Sequence, residues 1–107
     1  MIHKTAIIDT KAKISTNVRI GPYTVIGPNV EVGENSIIQS HVSILGYTKI
    51  GKNNKIYSFA SIGNNVEIAG GSGVIKDISD NSKIMGYPAK DIRDFLKDNK
   101  WYTKQQL

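Results

Sequence analysis

A parallel β-helix in one domain is the fold that this sequence of 107 residues predicts, and three observations carry the prediction. Every sixth residue is isoleucine or valine: Ile2, Ile8, Ile14, Ile20, Ile26, Val32, Ile38, Ile44, Ile50, Ile56, Ile62, Ile68 and Val74. A period of six matches neither helical nor half-buried strand patterning, so it marks a repeated structural unit. Four residues after each stands, in nearly every hexad, a small or modest side chain, as at Ala6, Ala12, Thr24, Ser36, Thr48, Ala60 and Ser72. Columns then recur at eighteen residues, three hexads to a coil. Lys13, Glu31, Lys49 and Glu67 alternate in sign, Asn17, Asn35 and Asn53 form an amide column, and Tyr23, His41 and Phe59 form a third. Stacked coils place such residues above one another, where opposite charges and amide ladders are favourable.

Taken in order, the hexads of residues 1–79 build slightly more than four coils with the branched residues inside. Glycines at 21, 27, 33, 51 and 63 follow the branched residue, where a corner asks for compact or left-handed backbone. The face built on Ile2, Ile20, Ile38, Ile56 and Val74 carries Tyr23, His41, Tyr57 and Phe59 outward. Concentrated aromatic surface marks an association face, and a thin prism with a small core gains from self-association. A homotrimer through these four residues is expected. Residues 80–107 form a turn and a capping helix. Met85-Gly86-Tyr87-Pro88-Ala89 reads as the turn, and Ile92, Phe95 and Leu96 give one apolar stripe on a short α-helix of roughly 90–99. That helix and Trp101 close the open end of the stack, as a solenoid requires. Capping alone is the favoured role of this segment; the sharper alternative is that Arg93, Lys97, Lys100 and Lys104 offer an acidic carrier a basic contact.

Composition narrows the partners. Fourteen Lys and Arg against nine Asp and Glu give a formal charge of +5, and they form no basic stripe interleaved with aromatics, so no nucleic-acid partner is expected. An acidic carrier protein or a phosphorylated metabolite suits mild positive charge better. The absence of cysteine excludes disulfides and thiolate metal sites within the chain. Without an apolar run of membrane-spanning length or an apolar leader segment, a soluble cytoplasmic protein is expected.

Within residues 1–63, the runs Ile20-Gly21-Pro22-Tyr23, Ser40-His41-Val42, Thr48-Lys49-Ile50-Gly51 and Phe59-Ala60-Ser61-Ile62-Gly63 resemble the start of the UDP-N-acetylglucosamine O-acyltransferases of lipid A synthesis. Residues 66–97, with Ala69-Gly70-Gly71-Ser72-Gly73-Val74 and the 85–89 run, resemble the end of the related UDP-3-O-acylglucosamine N-acyltransferases. The resemblance implies a left-handed β-helix, a homotrimer with clefts between subunits, and transfer of an acyl group from a carrier thioester to a UDP-glucosamine-type sugar. It implies no cofactor. Both families are much longer, and the coils bearing their general-base histidine have no counterpart here, so little or no activity is expected. The alternative is a catalytically silent trimeric scaffold.

Acyl transfer to a hydroxyl or amine needs a base within hydrogen-bond reach of the acceptor. His3 and His41 are the two imidazoles of the chain. His41 is the candidate base, but its place in the aromatic column favours an interface role, and His3 reads as a terminal surface residue. Their spacing forms no three-histidine zinc pattern, so no metal site is expected. Gly70-Gly71-Ser72-Gly73 reads as a tight corner rather than a phosphate loop.

Overall fold

The computed structural model describes residues 1–86 and 90–91. The chain winds as a left-handed parallel β-helix of about four turns. Three parallel sheets form its walls. The first holds β1 (Ile7–Ile8), β4 (Val25–Ile26), β7 (Ser43–Ile44) and β10 (Ser61–Ile62). The second holds β2 (Lys13–Ile14), β5 (Val30–Val32), β8 (Thr48–Ile50), β11 (Val66–Ile68) and β13 (Lys83–Met85), with β14 (Lys90–Asp91) added antiparallel at its edge. The third holds β3 (Arg19–Ile20), β6 (Ile37–Ile38), β9 (Lys55–Ile56) and β12 (Gly73–Val74).

Registers follow the eighteen-residue columns. Lys13 pairs with Glu31, Glu31 with Lys49, and Lys49 with Glu67, so the alternating charges form a ladder up the second sheet. Each strand is two or three residues long because a corner intervenes every hexad. The two periodic series both point inward. Ile26, Ile44, Ile56 and Val74 are buried, and so are Thr24, Ser36, Thr48, Asn54 and Ser72 of the compact series.

The buried polar residues of that series fasten one corner to the next. The Thr24 hydroxyl donates to the Gln39 carbonyl at 2.7 Å and accepts the Val42 N–H at 3.3 Å. Ser36 repeats the pattern one hexad pair higher, donating to the Gly51 carbonyl at 3.0 Å and accepting from Asn54 N–H at 3.2 Å. A buried polar atom left without a partner costs roughly 1–3 kcal/mol, and among the described residues every buried side-chain N or O atom has one.

Three expectations are revised. Ile2 is 48% exposed, and Ile8 and Ile14 are half-buried, because no described residue stacks beneath the first coil. The glycines at 21, 33 and 63 are not in left-handed backbone. They are required by close approach: a Cβ on Gly33 would lie 2.5 Å from the carbonyl carbon of Gly51 in the coil above. Left-handed backbone is held instead by Asn17, Tyr23, Asn35, His41, Asn53, Phe59, Asn65 and Asn81, and by Gly46, Gly71 and Gly86.

The third revision concerns the C-terminal end. The last coil is two residues shorter than the others: Ile62 bridges to Ile78, and Glu67 pairs with Lys83. Ile78 thereby takes the place of a branched core residue, and stacking continues through Ile84, past the boundary expected at residue 79. Lys90–Asp91, at the start of the span expected to be helical, form a strand pairing with β13. The remainder of the expected capping helix, with Trp101, lies outside the described residues.

Candidate functional site

Tyr23, His41 and Phe59 stand one above another at the corner that joins the third sheet to the first. Their φ angles are 58°, 57° and 68°. The His41 ring sits between the other two, with centroids 5.3 Å from Tyr23 at a 35° tilt and 5.1 Å from Phe59 at 22°. Ring pairs at this separation contribute about 0.5–1.5 kcal/mol each. Against this, left-handed backbone costs a bulky residue on the order of 1–2 kcal/mol. Tyr23 and Phe59 nevertheless remain 61% and 73% exposed, so the protomer itself draws little burial from them.

Tyr57 does not share that corner. It follows β9 on the face of the third sheet, half-buried, with the Lys55 ammonium 5.0 Å from its ring centroid. The four residues grouped by sequence therefore divide into an edge of three and a face of one. Further apolar surface flanks the edge on the first sheet, where Ile7 and Leu45 are exposed.

Two shallow grooves run along the walls. One, of about 640 Å³, follows the charge ladder of the second sheet beside the small residues Ser15, Gly33, Gly51 and Ala69. The other, of about 580 Å³, lies on the N-terminal half of the third sheet, lined by His3, Arg19, Gln39, Ser40 and Ser58 with Met1, Pro22 and Ile37. Its polar members form a network. Gln39 Oε1 accepts the Ser58 N–H at 3.1 Å and the Ser58 hydroxyl at 3.3 Å. Ser58 Oγ accepts the Ser40 N–H at 3.3 Å and lies 3.1 Å from Ser40 Oγ. His3 Nδ1 accepts the Thr5 N–H at 3.2 Å and lies 2.8 Å from Thr5 Oγ1, which accepts the Tyr23 N–H at 3.1 Å.

The structure thus keeps the two histidines in separate settings, His41 in a ring stack and His3 in a hydrogen-bonded turn at a groove. Neither bonds a carboxylate, and no group of three potential metal ligands gathers among the described residues. Sequence reasoning passed over the groove on the third sheet. Its signal was the column Pro22, Ser40 and Ser58 at eighteen-residue spacing, which looks like ordinary surface until Ser40 is seen bonded to Ser58 and Ser58 to Gln39.

Fold and repeats together define the class: a hexapeptide-repeat β-helix. Residues 11–46 match the family described as bacterial transferase hexapeptide (six repeats). Over 62 residues the chain is 53% identical to the acyl-[acyl-carrier-protein]–UDP-N-acetylglucosamine O-acyltransferase of Saccharophagus degradans, covering 58% of this chain and 24% of that protein. The chain spans about a quarter of the length of the curated relatives it matches. Among solved structures, the UDP-N-acetylglucosamine acyltransferase of Francisella novicida is 33% identical with a TM-score of 0.56, over 79% of this chain and 41% of that one. The serine acetyltransferase of Neisseria gonorrhoeae is 25% identical with a TM-score of 0.54, over 85% and 40%.

Proposed function

We propose that this chain is a short acyltransferase-type β-helix of the lipid A branch, assembled as a homotrimer, with little or no turnover of its own. Its ligands would be an acyl-carrier thioester and a UDP-glucosamine-type sugar, and its localisation cytoplasmic. The likeness to UDP-N-acetylglucosamine O-acyltransferases over 62 residues supports the branch. The setting of the histidines carries the low activity. His41 has both ring faces against Tyr23 and Phe59, and Nδ1 of His3 is committed to Thr5. A base must meet the acceptor proton directly or through one water. His41 at an aromatic edge suits contact between copies better.

The alternative, a catalytically silent trimeric scaffold that keeps the fold without the chemistry, is separated by experiment. Purified protein is mixed with acyl-carrier thioester and UDP-sugar acceptors, and acyl transfer and thioester binding are followed separately. Loss of general-base catalysis lowers rates by about 10²–10⁴, so the proposal expects detectable thioester binding beside transfer at or near background. Robust transfer that His41→Ala abolishes, with assembly intact, would make His41 the base and overturn the low-activity reading. Absence of thioester binding would favour the silent scaffold.

A further inference from the structure

We infer that the groove on the N-terminal half of the third sheet is a binding site for the phosphate group of a small phosphorylated molecule, independent of any acyl transfer. The fold has already used some of the polar groups that line this groove. Gln39 Oε1 is occupied by the Ser58 N–H and hydroxyl. A backbone N–H can only donate, so the amide oxygen faces Ser58 and the Gln39 NH₂ group faces away from it. With the Ser58 proton committed to Gln39, the hydroxyl contact between the two serines is donated by Ser40.

His3 is oriented in the same way. Its Nδ1 accepts the Thr5 N–H, so the neutral ring carries its proton on Nε2 and presents a donor. Arg19 adds up to five N–H donors in a planar fork, and its guanidinium makes no hydrogen bond or ion pair among the described residues. Among the described residues, the groove therefore offers uncommitted donors from Arg19, Gln39 and His3, and no carboxylate lines it. A single exposed arginine would be unremarkable solvated surface. Donors from three coils, two of them oriented by internal bonds, are complementary to an oxyanion with several acceptor oxygens.

Gly21 places no side chain between them. It lies between His3 and Gln39 in the column, and a Cβ there would sit 2.7 Å from the Gln39 carbonyl carbon, so close coil packing keeps this position free of a side chain that could stand between the donors of the two neighbouring coils. Met1, Pro22 and Ile37 supply an apolar margin for the body of the molecule. Phosphate is favoured over carboxylate because its oxygens diverge enough to engage donors on successive coils, about 4.8 Å apart.

The test is an amide-resolved NMR titration of the full chain with inorganic phosphate, then glycerol 3-phosphate, at constant ionic strength set by chloride. The expected result is saturable shifts at Gly21, Gln39, Ser40 and Ser58, with Arg19→Gln weakening binding roughly tenfold and Lys49→Gln leaving it unchanged. Glycerol 3-phosphate is expected to bind at least as tightly as inorganic phosphate. Gln39→Leu, which removes both the donor and the network, is expected to weaken binding as well. Shifts that never saturate, that centre on the Lys13–Lys49–Lys83 side, or that survive Arg19→Gln unaltered would each overturn the proposal. So would binding of inorganic phosphate with rejection of the ester.

Discussion

Two corners of the same prism occupy the same left-handed backbone at the same eighteen-residue spacing, yet they are furnished differently. At one, Asn17, Asn35 and Asn53 hold φ of 62°, 63° and 58°, and Asn17 donates through its amide to Asn35 at 2.8 Å. At the other, Tyr23, His41 and Phe59 hold 58°, 57° and 68°. Asparagine visits this conformation readily because its short polar side chain bonds locally, whereas bulky side chains are strained there. The fold alone would favour asparagine at both. Aromatic rings at the second corner therefore answer to something other than the winding of the chain, and a strained, exposed ring column is the kind of feature that marks a contact surface.

The comparison is bounded first by the core that both corners share. Ile56 is fully buried behind Phe59's coil, and Ile56→Ala is expected to lower stability by about 2–5 kcal/mol in chemical denaturation. A loss below about 1 kcal/mol would mean that the inward series does not hold the coils together.

Exchange between the corners is the next sharpest probe. Asn35→Phe loses the bond from Asn17 and places a ring in left-handed backbone, so a loss of about 1–3 kcal/mol is expected. Phe59→Asn relieves strain and forfeits one ring contact, two effects of similar size and opposite sign. Its net effect on the protomer is expected to stay within about 1 kcal/mol. Equal losses for the two substitutions would erase the distinction between the corners.

The smallest effect belongs to the charge ladder. Lys49 stands between Glu31 and Glu67 in register but on an exposed face, where such pairs contribute about 0.2–1 kcal/mol. Lys49→Ala is expected to shift stability by less than about 1 kcal/mol, with the difference shrinking as salt is raised. A larger, salt-independent loss would show that the ladder is structural.

Most of the fold could be read from the chain because a β-helix repeats its constraint at each coil. Ile26 and Ile50, from the middle of the series, are both buried, and the Lys/Glu column pairs in register as its spacing implies. What escaped the reading lies where the repeat is interrupted. Ile78 stands four residues after Val74, at the compact position of its hexad, but two residues fewer in that coil move it into a principal core position over Ile62. Ile92, Phe95 and Leu96 suggested a helix beginning near residue 90, a pattern blind to the strand edge of β13 that Lys90–Asp91 joins.

The candidate site was less legible for a related reason. Periodicity finds columns, so it found Tyr23, His41 and Phe59, but Tyr57 was grouped with them although an offset of two residues moves a side chain from corner to wall. Gln39, Ser40 and Ser58 needed coordinates, since their significance lies in which of their hydrogen-bonding groups remain uncommitted.

Sedimentation equilibrium at micromolar concentration, comparing the unmodified chain with the His41→Glu/Phe59→Glu double variant, tests most directly whether the aromatic corner serves association. The unmodified chain should sediment as a trimer. The double variant should sediment as a folded monomer, because association would bury unpaired like charges. A stable monomer for the unmodified chain, or an undiminished trimer for the double variant, would contradict the account.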